Sequence, residues 1–64
     1  MDSKSIDHAM RHRLPVMYDG KRYDRIEEYI SRYDEHGKRH LSAVLIQGRT
    51  AYRVPAEKVE EVEK

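Results

Sequence analysis

The segment Lys38 to Gln47 most constrains what this chain can fold into. Leu41, Ala43 and Leu45 alternate with Ser42, Val44 and Ile46, which is the two-residue period of a β-strand. Toward its end both faces are apolar, so the strand is expected near the middle of a sheet, with antiparallel neighbours. A downstream neighbour is easy to find. Gln47-Gly48 or Gly48-Arg49 turns the chain, and Thr50 to Val54 returns with Tyr52 and Val54 on one face before Pro55 ends it. The upstream neighbour must come from Tyr23 to Asp34, which fits two structures. As a helix it has an Asp24 cap, Glu27 three residues on, a stripe at Ile26, Tyr29, Ile30 and Tyr33, and Gly37 near a C-terminal cap. As a strand it sets Tyr23, Tyr29 and Tyr33 against Ile26 and Ile30 and enters Asp34-Glu35-His36-Gly37, a hairpin loop with a late glycine. The strand is preferred because Lys38 to Gln47 needs a partner. A helix over 24–36, giving an α+β arrangement, is the alternative.

The ends of the chain follow simpler rules. Ser3 or Ser5 can cap a helix whose Ile6, Ala9 and Met10 share a face, and Pro15 stops it. Leu14, Val16 and Tyr18 then alternate into Asp19-Gly20, a dipeptide suited to a tight hairpin. After Pro55 the sequence suits a helical turn with Val59 and Val62 on its apolar edge, and the final residues EEVEK are expected to fray. The expected fold is mainly β: a small curled antiparallel sheet or barrel of four to five strands in one domain. It has a helix in 1–13, a β core over 14–55 and a helical turn and tail in 56–64. Val16, Tyr18, Ile26, Ile30, Leu41, Ala43, Val44, Leu45, Ile46, Tyr52, Val54 and Val59 are the expected core. So few apolar side chains predict marginal stability as a monomer, or a weak homodimer that buries more.

Two pieces resemble the Src-homology-3 barrel family. Val16-Met17-Tyr18-Asp19 looks like the family's opening Ala-Leu-Tyr-Asp strand, and Val54-Pro55-Ala56-Glu57-Lys58-Val59 looks like its closing Val-Pro-Ser-Asn-Tyr-Val turn, in the same order. The resemblance implies the small barrel. It does not carry the family's polyproline ligand across, because the chain has no Trp and Lys58 stands where the closing turn would supply a Tyr. Separately, LPVMYDGKRYDRI, RYDEHGKRHLSAVL and GRTAYRVPAEKVE together resemble a set of short uncharacterised proteins from mobile elements of gut Clostridia, which implies no activity.

Composition narrows the function classes. Thirteen Lys and Arg against twelve Asp and Glu leave a net charge of +1, so any attraction to polyanions must be local. With no Cys there is no disulfide framework, thiol nucleophile or cysteine zinc site, which fits a reducing cytoplasm. The longest uninterrupted apolar run, Ala43 to Ile46, is too short to span a bilayer, so a soluble chain without membrane contact is expected. His8 with His12, and His36 with His40, have helical ligand spacing, but a zinc site needs three or four ligands and none is expected. No nucleophile elbow or phosphate-cradling glycine loop is present, and neither catalysis nor a cofactor is expected. What remains is cationic and aromatic: Arg22, Tyr23, Arg25, Tyr29, Arg32, Tyr33, Arg49 and Arg53. On the strand reading Tyr23, Arg25, Tyr29 and Tyr33 share a face on which bases could stack, while Glu27, Glu28, Asp34 and Glu35 interrupt the positive charge. A protein partner bound through the sheet surface or an edge is therefore the leading expectation, with weak nucleic-acid binding as the alternative.

Overall fold

The computed structural model describes residues 1–62. Helix α1 spans Ser3–Arg11 and is followed by strands β1 (Val16–Tyr18), β2 (Lys21–Tyr23), β3 (Arg25–Tyr33), β4 (Arg39–Gln47) and β5 (Thr50–Pro55). A single 3-10 turn, Ala56–Lys58, leads into β6 (Glu60–Glu61). The strands form two three-stranded antiparallel sheets, ordered β2-β1-β6 and β3-β4-β5, without closing into a barrel. Residues 24–36 form no helix: Arg25–Tyr33 is strand, paired along its length with β4. The long central strand thus prevails over the local helical period.

Local chemistry explains the joints. Asp2, rather than Ser3 or Ser5, caps α1, its Oδ1 accepting from the Ser5 amide at 2.8 Å. That bond is the main cause holding the Asp2 carboxyl below its usual pKa. The helix ends before Pro15 can act: Arg13 takes a left-handed φ of 52°, and the amides of Arg13 and Leu14 donate back to Met10 and Ala9 in a Schellman closure. Asp19 and Gly20 both have positive φ, 52° and 75°, the requirement of a two-residue turn with the twist of its flanking strands, and Tyr18 pairs with Lys21 across it. In the β3–β4 loop, Asp34 Oδ1 accepts from the amides of His36 and Lys38, while Oδ2 meets His40 Nε2 at 2.9 Å. The His40 contact, then the amide bonds, hold the Asp34 carboxyl below its usual pKa. Asp24, a helix cap in the sequence reading, instead ties the two sheets' ends together. Its amide donates to the Ile46 carbonyl at 2.7 Å, and its carboxylate accepts from Gly48 at 2.9 Å.

The core gathers Ile6 and Ala9 from α1, Val16 and Tyr23 from the first sheet, Ile26, Ala43, Leu45 and Val54 from the second, and Ala56 and Val59 from the closing turn. Ile30, Val44 and Tyr52, expected in the core, lie outside it, whereas Ile6, Ala9, Tyr23 and Ala56 join it. The C-terminal segment is more ordered than expected as far as Val62. After the 3-10 turn Val59 is fully buried, and Glu60 and Glu61 pair with Met17 and Val16. The tail expected to fray over EEVEK has its last two residues outside the described part of the chain. The Met1 ammonium donates to the carbonyls of Glu57 and Val59 at 3.1 and 2.9 Å, holding the first residue against the closing turn.

Candidate binding surface

One irregularity decides what the β3-β4-β5 sheet presents to solvent. Between Ile26 and Glu28 the β3–β4 register slips, so that Ile26 faces Leu45 and Glu28 faces Val44, with Glu27 as the extra residue of a β-bulge. The bulge reverses the alternation. Ile26 and Tyr29, three apart, both point to the core side, where their partners Leu45 and Ala43 are fully buried. The opposite face is built in rows across the strands: Arg25, Ile46 and Ala51; Glu28, Val44 and Arg53; Ile30, Ser42 and Pro55; Arg32 and His40. α1, β1, β2 and the 3-10 turn contribute their buried side chains to the core on the other side.

This open face has a half-buried aliphatic centre, Ile30 and Val44, next to Ile46, which is only 8% exposed although it lies outside the core cluster. Arg25 and Ala51 flank Ile46 in its row. Arg25, Arg32 and Arg53 surround the centre, and none of them is ion-paired to a carboxylate among the described residues. Two carboxylates reach this face: Glu28, across Val44 from Arg53, and Asp34, which meets His40 in the row of Arg32.

The eight residues singled out from the sequence therefore separate. Arg25, Arg32 and Arg53 come together on the open face. Tyr23 is 5% exposed and packs edge-on against Tyr52, ring centroids 5.6 Å apart, so it belongs to the core rather than to a stacking platform. Tyr29 is half-buried on the core side, its hydroxyl buried without a hydrogen-bond partner among the described residues. The expected sharing of one face by Tyr23, Arg25, Tyr29 and Tyr33 is thus corrected, because Arg25 points away from the other three's side of the sheets. Tyr33 is 69% exposed at the end of β3, Arg22 stands on the other sheet opposite Met17, and Arg49 occupies the β4–β5 turn. The sequence reading missed Ile30 and Val44 as surface residues. Their signal was present, since a strand apolar on both faces has one face too many for a chain this short.

Elsewhere, Met1, Ala9, Leu14, Pro15, Val16 and Val62 line a groove of about 400 Å³ between α1 and β1. The rings of His8 on α1 and of His12, which caps its C-terminus, lie 4.4 Å apart, and among the described residues no three His, Cys, Asp or Glu side chains are grouped to hold a metal. No helix among these residues is long and apolar enough to cross a membrane. No family model matches the chain, and neither a curated protein nor a solved structure matches it.

Proposed function

We propose that this domain is a non-catalytic binding module that meets another protein through the open face of the β3-β4-β5 sheet. The observation that carries this reading is the pattern of that face: aliphatic at its centre, ringed by three arginines without ion-pair partners among the described residues, and interrupted by Glu28. Aliphatic centres with a charged rim are how protein interfaces are built. A surface for single-stranded nucleic acid stacks bases on aromatic rings beside its cations, and here Tyr23 and Tyr29 are turned to the core side. The absence of cysteine suits a reducing compartment such as the cytoplasm. The order of elements, a three-stranded meander leading through a 3-10 turn to a last strand beside the first, supports a distant kinship with the Src-homology-3 architecture without its ligand groove.

Titration with single- and double-stranded oligonucleotides at low and moderate salt tests the choice of partner class. The expected result is no saturable binding at low salt. Micromolar binding that weakens steeply with salt, and is lost in the Arg25→Glu, Arg32→Glu double variant, would replace this reading with nucleic-acid recognition through phosphate contacts.

A further inference from the structure

We infer that the partner of this face is an acidic protein segment in which carboxylates flank aliphatic side chains, laid along the sheet in an extended conformation. The inference rests on the protein-binding reading above and goes on to name the partner's chemistry. Arg25 and Arg32 stand at opposite ends of the β3 side of the face, roughly 20 Å apart at about 3.3 Å per residue. Arg53 stands on β5, two strands away from Glu28, or roughly 10 Å at the usual strand spacing. The three cations therefore surround Ile30, Val44 and Ile46 instead of forming a single patch. A compact anion such as one phosphate reaches at most one of them. An extended chain reaches two or three, with residues on one side repeating every second position, so that carboxylates meet the guanidiniums while aliphatic groups between them cover Ile30 and Val44. His40, in the row of Arg32, is turned toward the Asp34 carboxylate and leaves Arg32 as the cation of that end. The arginines select the sign of the ligand: an acidic one gains at all three, whereas a basic one is repelled by them and attracted only at Glu28.

Two measurements on the full chain test this. In the first, a peptide alternating glutamate with valine is titrated against the protein, beside a control peptide in which lysine replaces glutamate. The expected result is saturable binding of the acidic peptide alone, weakening with salt and falling about tenfold or more in the Arg25→Glu, Arg53→Glu double variant. Equal binding of both peptides, or no effect of the double variant, would overturn the inference. In the second, a photo-reactive phenylalanine analogue replacing Ser42 at the centre of the face is crosslinked in the source-cell lysate, and the attached segment is sequenced. A segment with carboxylates around aliphatic residues is the expected product. A protein segment without flanking acids would overturn this inference and leave the protein-binding reading intact. Attachment to nucleic acid, or no attachment, would overturn both.

Discussion

Replacing Leu45 with alanine is expected to unfold most of the population at room temperature, while replacing its neighbour Ile46 leaves a folded protein. The two side chains are adjacent on β4, similar in size, and point to opposite faces. Leu45 is fully buried between Ile26 and Tyr52 in the pairing register and belongs to the core cluster. Truncating such a residue costs about 2 to 5 kcal/mol, from lost transfer free energy and the cavity left behind. A domain of this size holds only about 3 to 5 kcal/mol in total. Ile46, 8% exposed but outside the core cluster, lies between Arg25 and Ala51, where a flexible arginine can settle over the space, so the loss falls at the low end of the truncation range, about 2 kcal/mol. Thermal melts of the two variants decide it. Equal losses would mean that the open face is as closely packed as the core.

The second large effect is expected at the C-terminal side. Val59 is fully buried after the 3-10 turn, and its burial brings Glu60 and Glu61 alongside β1. An aspartate there buries a carboxylate among apolar core side chains, a cost of several kcal/mol that the Met1 ammonium, already held by the Glu57 and Val59 carbonyls, offsets only in part and that a small domain cannot absorb. Val59→Asp is expected to abolish the cooperative melt, whereas Val62→Asp, at a half-buried position, keeps it. If Val59→Asp melted like the parent, the closing segment would contribute nothing to the fold, as expected of a frayed tail.

Much of this architecture is legible in the residues. The alternation of Leu41 to Ile46 marks the central strand, Asp19-Gly20 marks the first hairpin, and the need of β4 for a partner decides between helix and strand at Tyr23 to Asp34. The face assignments of β3 are a different matter. Strict alternation sets Ile26 and Tyr29 on opposite sides, and nothing in Arg25-Ile26-Glu27-Glu28-Tyr29 announces that Glu27 will bulge and bring both inward. A bulge is chosen by tertiary packing, here by two apolar side chains three apart competing for one core beneath α1. The role of Asp24 was hidden for a related reason: its local pattern is that of a helix cap, and its actual partners, Ile46 and Gly48, are more than twenty residues away. The candidate surface was therefore half visible. Arg25, Arg32 and Arg53 could be named, but the company they keep, aliphatic rather than aromatic, depends on a phase that only the folded chain sets.

That phase is the central claim, because it decides which side chains a partner meets. Nuclear Overhauser contacts in the free protein measure it directly. The bulged register predicts that the Tyr29 ring contacts the Ala43 methyl and the core beneath α1, while the Arg25 side chain contacts Ile46 and Ala51 on the opposite side. Contacts placing Tyr29 beside Arg25 or Val44 would contradict it. The open face would then be an aromatic and cationic platform, and the case for an acidic protein partner would fall with the register.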